Sequence, residues 1–239
     1  MKKYHINYAN GRYLKSQEFC SLSAKNAGFD EVTSYRLEDI DKDFYEKNKL
    51  ILESPRGAGY WMWKSYFIQK KLSEINNGDL LVYSDSGSYY QNSVKPLIDI
   101  ISNDPKGVIS FEFKGFLEKR FTKKDTFVLM GMDEPKYTDT WHREATYIWL
   151  IKNDLTMKLA NEYLEYSQNI NIISDLPNIT GENYGEFEDH RHDQSIWSLL
   201  CKKYEISTHK LISQHGVGLN NDYPNDNYTP ITMHHRNPM

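Results

Sequence analysis

The chain has 239 residues, of which 39% are hydrophobic and 26% charged, and this composition is ordinary for a globular protein with a packed core. Its formal charge of −4 gives it no electrostatic reason to bind nucleic acid, so we expect no nucleic-acid partner. No apolar run approaches the roughly 20 residues that a membrane-spanning helix needs. The two distant cysteines, Cys20 and Cys201, suggest neither a disulfide framework nor a zinc site, so we expect a reducing, cytoplasmic location without a transmembrane segment.

The start of the chain predicts a β-α-β unit. Residues 4–8 alternate as a strand does, residues 13–27 have the pattern of a helix, and residues 32–35 form a second predicted strand. Such an opening favours a parallel sheet with right-handed connections. The loop of residues 7–12 is where this sheet would bind part of a nucleotide, although it lacks a Gly-x-Gly-x-x-Gly fingerprint and Gly11 alone is weak support.

Two cationic residues flank the start of the next apolar helix. Residues 39–52 predict a polar surface helix, and Arg56 then lies in a loop rich in proline and glycine. The following helix has an apolar face, with Lys64 beside it. That face consists of Trp61, Ile68, Leu72 and Ile75. One interpretation is that Lys64 extends past the core to solvent. The other is that Arg56 and Lys64 lie beside Asp85 and surround an anionic group.

A short buried strand, residues 80–83, predicts a carboxylate at its C-terminal end. Its four apolar residues are bounded by polar turns, as in a central parallel strand. Ligands of open α/β sheets bind past the carboxyl ends of the strands. Asp85 is therefore a candidate ligand for a hard cation with a diphosphate, and Gly87 would allow a close approach. The alternative is that Asp85-Ser86-Gly87 is an ordinary turn.

The middle of the chain predicts further strands and helices around a core. The predicted elements are, in order, a helix at residues 97–101, a strand at 107–113, an exposed loop or short helix at 116–126, a core run at 146–151, an amphipathic helix at 155–167 and a loop at 171–175. The inward face of the amphipathic helix is predicted to be Leu155, Leu159, Tyr163 and Tyr166.

A second polar cluster precedes a helix that is predicted to begin near Asp193. An N-cap role would be a sufficient structural reason for this aspartate. However, His190, Arg191 and His192 crowd the same helix N-terminus, and that end of a helix attracts anions. A zinc site of the His-x-His-Asp type is a weaker alternative, because further ligands at a recognisable spacing are missing.

The segment after Leu211 has too few apolar residues for a core of its own, so it either frays or folds over the site as a lid. It contains His215, His234, His235 and Arg236, which suit a metal–diphosphate or a solvated tail. We expect a single domain over residues 1–239. Within it, residues 1–110 would bind nucleotide, residues 111–205 the sugar or acceptor, and residues 206–239 would form the tail or lid.

Three stretches together resemble a known family, the small GT-A-fold glycosyltransferases of bacterial capsule clusters and large DNA viruses. Arg56-Gly57-Ala58-Gly59-Tyr60-Trp61-Met62-Trp63-Lys64 is similar to the block R-G-x-G-x-W-x-W-K of that family. Leu81-Val82-Tyr83-Ser84-Asp85-Ser86-Gly87 is similar to a reduced metal motif, and His190-Arg191-His192-Asp193-Gln194-Ser195 resembles H-R-x-D-Q-S. The whole chain also resembles the N-terminal glycosyltransferase domain of a large chlorovirus enzyme.

The resemblance implies an α/β, GT-A-like (Rossmann-like) fold with a mixed, mainly parallel central sheet flanked by helices. It implies a hexosyl- or deoxyhexosyltransferase that uses a nucleotide sugar, with a UDP-sugar favoured, Mn²⁺ or Mg²⁺ as cofactor, and a glycan or glycoconjugate as acceptor. Polysaccharide biosynthesis in a bacterial cytosol or in infected host cytoplasm would follow. The residues expected at the donor are Asn7, Tyr8, Ala9, Arg56, Lys64, Ser84, Asp85, Ser86, Gly87 and His190.

The expected metal ligands are Asp85 and His215, because the third position of the usual Asp-x-Asp motif is Gly87 here. Asp193 and Gln194 are the expected catalytic pair. The pair also resembles that of retaining transferases, in which the two residues lie against the donor sugar, and this favours a retaining outcome. Two alternatives stay open. One is a non-catalytic nucleotide- or carbohydrate-binding protein on the same fold, which the reduced metal motif favours. The other is a glycoside hydrolase that uses Asp85 and Asp193.

Overall fold

The structure is a computed structural model, and it describes residues 1–235. Arg236, which the sequence suggested as part of a cationic tail, lies outside the described residues. Within residues 1–235, the structure contains no helix with the length and hydrophobicity that crossing a membrane requires.

The strands form one large mixed sheet and one small one. They are β1 (Lys3–Tyr8), β2 (Glu31–Tyr35), β3 (Leu80–Ser84), β4 (Ser88–Tyr90), β5 (Val108–Leu117), β6 (Trp141–Arg143), β7 (Tyr147–Ile151), β8 (Ser207–His209) and β9 (Thr232–His234). The large sheet has the order β2-β1-β3-β7-β5-β6, with β8 paired to β5, and β4 pairs with β9. In the large sheet β1, β2, β3, β5 and β8 point the same way, whereas β6 and β7 are antiparallel to their neighbours.

Helices cover both faces of the large sheet. They are α1 (Leu14–Ala27), α2 (Lys42–Lys47), α3 (Lys49–Leu52), α4 (Gly57–Tyr60), α5 (Met62–Glu74), α6 (Lys95–Asn103), α7 (Glu118–Phe121), α8 (Lys124–Leu129), α9 (Pro135–Thr138), α10 (Asp154–Ser167), α11 (Ile170–Ile173) and α12 (Asp193–Lys203). The prediction of a mixed, mainly parallel α/β sheet flanked by helices is confirmed.

The central strand β3 shows why the sheet is buried on both faces. Leu81 and Tyr83 face one core with α5, α10 and α12, whereas Leu80 and Val82 face a second core with α1 and α6. This alternation follows from the period of two along a strand. Each face is apolar, so β3 must be covered twice. The C-terminal end of β3 therefore lies between the two layers of helices, at the end of the sheet where the parallel strands finish.

The structure corrects several local predictions. The helix predicted at residues 39–52 is broken into α2 and α3, because Asn48 leaves helical geometry and its side chain bonds the carbonyl of Phe44 at 2.9 Å. Residues 171–175, predicted as a loop, contain most of α11. Residues 116–126, predicted to be exposed, contain α7 and the fully buried Glu118, whose charge is neutralised by other side chains. The periodicity of the sequence cannot show that distant side chains neutralise the charge of Glu118.

The C-terminal segment is part of the body of the protein up to residue 235. Strand β9 pairs antiparallel with β4, so His234 lies opposite Ser88. Leu211, Ile212 and Ile231 are buried in the second core. The segment therefore gains its apolar partners from the sheet layer instead of forming a core of its own.

Candidate active site

A cavity of about 710 Å³ opens at the C-terminal end of β3. This volume lies in the range of small-molecule sites, and its place agrees with the rule for ligands of open α/β sheets. The predicted site residues that line it are Arg56, Lys64, Asp85, Gly87, His190, Asp193, Gln194 and His215. Four separated stretches of sequence thus meet at one cavity.

Asp85 is fixed just past the end of β3 by its backbone and by a neighbouring tyrosine. Its amide donates to the Thr146 carbonyl at 3.0 Å, which extends the β3–β7 pairing by one residue. The Tyr83 hydroxyl donates to Asp85 Oδ1 at 2.6 Å. The side chain is 36% exposed, so the carboxylate can meet a ligand in the cavity.

The unusual turn before α5 directs Lys64 into the site. Gly59 has a φ of +101°, and a Cβ there would lie 2.8 Å from the Cα of Leu52, so the close approach of α4 to α3 requires glycine. Trp61 follows with a φ of 60°, which is costly for a bulky residue, and α5 begins at Met62. Lys64 therefore lies in the first turn of α5 and reaches inward.

The ammonium of Lys64 bridges two carboxylates inside the protein. Its Nζ lies 2.7 Å from Asp193 Oδ2 and 3.3 Å from Asp85 Oδ1, and it donates to the Ala145 carbonyl at 3.2 Å. The side chain is only 3% exposed. Burial alone would lower the pKa of Lys64, but the two carboxylates outweigh burial and raise that pKa above its ordinary value. The interpretation that Lys64 reaches solvent is therefore wrong.

Asp193 is the most perturbed carboxylate that faces the cavity. Burial raises its pKa to about 6, although the Lys64 ammonium acts in the opposite direction. The Tyr163 hydroxyl donates to Asp193 Oδ2 at 3.2 Å. Helix α12 begins at Asp193 as predicted, but the N-cap position is His192, and no side chain caps it. The carboxylate is used for Lys64 and Tyr163 instead, so capping does not explain it. A carboxyl group that titrates near neutral pH in a cavity is typical of a functional site.

Gln194 is held by the backbone of the β6–β7 connection. Its Oε1 accepts a hydrogen bond from the Ala145 amide at 3.2 Å. Ala145 thus anchors Gln194 through its amide and Lys64 through its carbonyl. This leaves the amide NH₂ group of Gln194 as its donor toward a ligand in the cavity.

His190 and His192 are buried and neutral. His192 Nε2 accepts from the Arg56 Nε–H at 2.8 Å, so its Nδ1–H donates to the Ile173 carbonyl at 2.8 Å. His190 Nε2–H likewise donates to the Ile172 carbonyl at 2.9 Å. Burial lowers the pKa of both imidazoles below the ordinary value, well below for His190. Their contacts with α11 position the start of α12.

These histidines predict a loss of stability in mild acid. Their folded-state pKa values lie below the ordinary value of 6.5, as does that of His5, which burial lowers to about 3. The unfolded chain therefore binds more protons below pH 6.5, and stability falls as pH falls. Asp193 acts in the opposite sense below about pH 6. We expect a net loss of about 2–3 kcal/mol between pH 7.5 and 5.5.

Urea denaturation at the two pH values measures this loss. An unfolding free energy that stays constant between pH 7.5 and 5.5 would contradict neutral burial of these imidazoles.

Arg56 spans the rim of the cavity. Its side chain is 47% exposed, its Nε lies 3.0 Å from Asp175 Oδ2, and its Nη2 lies 3.4 Å from Asp189 Oδ1. The guanidinium therefore joins the loop before α4 to the segment before α12. Its exposed part remains within reach of an anion in the cavity.

Five of the predicted donor contacts lie in the wall behind the cavity or in the interior. Ser84 is buried and its Oγ lies 2.7 Å from His5 Nε2, and the Ser86 hydroxyl donates to the Tyr8 carbonyl at 2.6 Å. The Asn7 amide donates to the Ser21 hydroxyl at 2.9 Å. Tyr8 stacks on Trp63 with ring centroids 4.0 Å apart, and Ala9 is buried. Contact of these residues with a nucleotide stays a prediction.

Three histidines of the C-terminal segment lie beside the end of β3 or line the cavity there. The His235 amide donates to the Gly87 carbonyl at 3.0 Å, which holds β9 against this turn. His234 and His215 both line the cavity, with ring centroids 5.5 Å apart. Among residues 1–235, no three His, Cys, Asp or Glu side chains are grouped so that they could hold a metal ion by themselves.

A cation that binds mainly through a diphosphate still fits this donor set. Mg²⁺ is typically bound by one or two carboxylates together with substrate phosphates and water. The contacts of Asp85 found in the described chain involve Oδ1, so Oδ2 remains as a ligand atom. A preformed zinc site of the His-x-His-Asp type does not fit, because His190 and His192 use their ring nitrogens for protein hydrogen bonds.

Sequence analysis missed a second charged network beneath the cavity. Glu118 is fully buried, its Oε1 lies 2.9 Å from His142 Nδ1, and its Oε2 pairs with Lys202. Burial would raise the pKa of Glu118, but His142 and Lys202 hold it well below the ordinary value. His142 also lines the cavity. The only sequence signal was a carboxylate between Leu117 and Lys119, and it has no distinguishing pattern.

The fold is similar to those of solved glycosyltransferase structures. The chain is similar to a crystal structure of a glycosyltransferase involved in the glycosylation of the major capsid of PBCV-1, with 10% identity and a TM-score of 0.50 over 99% of this chain and 96% of that one. It is similar to mouse xyloside xylosyltransferase 1, with 9% identity and a TM-score of 0.51 over 98% and 97% of the two chains.

A third similar structure is the bifunctional glycosyltransferase WbbM, with 10% identity and a TM-score of 0.56. The match covers 99% of this chain but only 46% of WbbM. No protein-family model and no curated protein sequence matches the chain. At these identities the likenesses show the fold alone. The predicted GT-A-like fold is therefore confirmed, while the reaction rests on the site.

Proposed function

We propose that the protein is a glycosyltransferase that moves a hexosyl or deoxyhexosyl group from a nucleotide-diphosphate sugar, with a UDP-sugar favoured, to a glycan or glycoconjugate acceptor. The observation that supports this most is the buried bridge from Asp85 through Lys64 to Asp193 at the C-terminal end of β3. One carboxylate lies where a diphosphate would bind, and the other has a pKa near neutrality. A transferase needs a site that binds the diphosphate of the donor and a polar side chain beside the sugar that can exchange a proton.

The cations at the cavity suit a diphosphate leaving group. The leaving diphosphate gains negative charge as the glycosidic bond breaks, so positive charge placed there in advance lowers the barrier. Arg56 reaches the cavity from its rim. The Lys64 ammonium already contacts Asp85, Asp193 and the Ala145 carbonyl, and it places a positive charge behind Asp85. A direct contact of Lys64 with phosphate would require the loss of one of those partners.

We further propose Mn²⁺ or Mg²⁺ as cofactor, with Asp85 as its carboxylate ligand and His215 as a second ligand. When bound, such an ion would neutralise charge on the diphosphate. Asp193 would hold the donor sugar or accept a proton from the acceptor hydroxyl. Gln194 would donate a hydrogen bond to the sugar. A retaining outcome, a role in polysaccharide biosynthesis and a cytoplasmic location are parts of the same proposal, and the two free cysteines agree with that location.

The first experiment is a thermal-shift series with UDP, GDP, CMP and dTDP, each with and without Mn²⁺. A ligand at 100 times its Kd stabilises by about 2.7 kcal/mol, which is easily measured. We expect a shift with one nucleoside diphosphate that is larger with Mn²⁺, and an Asp85→Asn protein that loses the metal-dependent part. An Asp99→Asn protein, altered at an exposed surface pair, is the matched control. The absence of a shift with every nucleotide would overturn the proposal.

A non-catalytic binding protein on the same fold is the second candidate. Gly87 at the third position of the metal motif favours it, because the site has one carboxylate there instead of two. Such a protein would show the nucleotide shift but would neither transfer nor hydrolyse a nucleotide sugar. A hydrolase would instead cleave a simple glycoside without any nucleotide sugar, which the same assays detect.

A further inference from the structure

The far wall of the cavity is an aromatic cluster that the donor chemistry does not use. Phe113, Phe116 and Phe121 all line the cavity. Their rings form a continuous row, with centroids 5.6 Å apart from Phe113 to Phe116 and 5.1 Å apart from Phe116 to Phe121. Phe116 is 46% exposed, which is unusual for a phenylalanine that already packs against two other aromatic rings. An exposed apolar ring in a cavity is typical of a ligand contact.

A bulge in β5 creates this exposure. The register between β5 and β6 is regular up to the pair Phe113–His142 and then shifts, so that Leu117 pairs with Trp141. Gly115 lies inside the bulge with a φ of +90°, a conformation that side chains rarely adopt. Bulges next to active sites typically redirect a side chain. Here the bulge turns Phe116 out of the hairpin and into the cavity wall.

Contacts with the C-terminal segment hold the bulge in place. Lys114 pairs with Asp222, and the Tyr223 hydroxyl donates to Glu112 Oε1 at 2.7 Å. Leu219, from the same segment, lines the cavity as well. The aromatic row and Leu219 of the C-terminal segment thus border one part of the cavity, which we call the slot.

The charges around the slot favour a neutral ligand. Three cations border the aromatic row, and each lies against a carboxylate: Lys114 against Asp222, Arg120 against Glu188 and Arg191 against Asp189. The Arg191 guanidinium also lies 5.2 Å from the Phe121 ring centroid. It therefore covers one face of the Phe121 ring. An anionic ligand would have to compete with these carboxylates, whereas the apolar face of a sugar ring needs only Phe116.

We infer that the Phe113–Phe116–Phe121 row is the acceptor subsite, and that Phe116 stacks on the apolar face of a neutral pyranose unit of a glycan. The inference rests on the proposed transferase function, since it assigns the second substrate of that reaction to this wall. The acceptor ring would lie on Phe116 while its hydroxyl points toward Asp193 and Gln194, which line the same cavity.

The test is saturation-transfer NMR with methyl pyranosides of glucose, galactose, xylose and rhamnose, with cyclohexanol as an apolar compound that is not a sugar. Each titration is run with the protein alone and with UDP and Mn²⁺. We expect at least one pyranoside to bind, and Phe116→Ala to weaken it roughly 5- to 30-fold, as truncation of an aromatic contact does. Phe116→Trp should retain binding. Phe19→Ala is the control, because Phe19 is 39% exposed, also contacts an aromatic ring, and does not line the cavity.

Three results would overturn the inference: no pyranoside binds in either state, Phe116→Ala binds as the wild type does, or cyclohexanol shows the same dependence on Phe116. Thermal shift with UDP is measured on the same Phe116→Ala protein and should be unchanged, because the ring is not at the donor end. A wild-type protein that no nucleotide stabilises would overturn the transferase proposal instead. The two failures are therefore distinguishable.

Discussion

Replacement of Lys64 by methionine is expected to lower the free energy of unfolding at pH 7 by about 3–5 kcal/mol, because removal of one partner leaves a buried charge uncompensated. Lys64 is the cation that compensates Asp193, and both side chains are at most 5% exposed. Methionine has a similar length and fills the same space, so the loss would report charge and not volume. Urea denaturation of the variant against the wild type measures this difference.

The pH dependence separates an electrostatic effect from a packing effect. Without Lys64, the folded-state pKa of Asp193 rises further above its unfolded value, since the lysine is what lowers it. A raised folded pKa contributes stability at low pH, and that contribution disappears as pH rises. The deficit of Lys64→Met should therefore be smaller at pH 5 than at pH 8. A deficit that does not change with pH would contradict this explanation.

Two further variants complete the comparison. Lys64→Met combined with Asp193→Asn should recover part of the lost stability, because no buried charge then remains unpaired at that position. Lys70→Met is the matched control on the same helix, since Lys70 pairs with the exposed Asp41 at 3.2 Å. A surface pair of this kind contributes about 0–1 kcal/mol. A loss for Lys64→Met no larger than that for Lys70→Met would show that the bridge does not stabilise the fold.

Local pattern was sufficient to predict the elements that form the site. The β-α-β opening, the strand that ends before Asp85 and the start of α12 at Asp193 all follow from short-range periodicity and turn residues. The gathering of Arg56, Asp85 and Asp193 at one cavity was predicted from resemblance and from the position of strand ends. These features depend on neighbours in sequence or on rules common to all α/β sheets.

The contacts within the site could not be predicted in the same way. The bridge from Lys64 to Asp193 joins residues on different helices, and the apolar face of α5 left open whether its lysine is buried or reaches solvent. The sequence of the C-terminal segment suggested a tail or a lid, since its apolar residues are few. Its pairing with β4 depends on an exposed strand edge elsewhere in the chain. Long-range partners of this kind become visible only when the sheet order is known.

Replacement of Asp193 by asparagine is expected to reduce the rate of sugar transfer by about 10²–10⁴-fold, the usual contribution of a group that exchanges a proton with the substrate. Asparagine preserves the shape of the side chain, and Lys64 keeps its contact with Asp85, so the fold should persist. Nucleotide binding should also persist, because Asp85 and Arg56 are unchanged. Transfer is measured by release of the nucleoside diphosphate in the presence of acceptor, and folding by circular dichroism.

The matched control is Asp189→Asn, which removes an exposed carboxylate four residues away that pairs with Arg56 at the rim. We expect it to retain most of the transfer rate. The wild-type rate should fall as pH falls through about 6, because burial raises the pKa of Asp193 to about that value and the protonated acid can no longer accept a proton. In Asp193→Asn this acidic limb should vanish. A folded Asp193→Asn protein with the wild-type rate would exclude a catalytic role for Asp193, and the bridge to Lys64 would then serve stability alone.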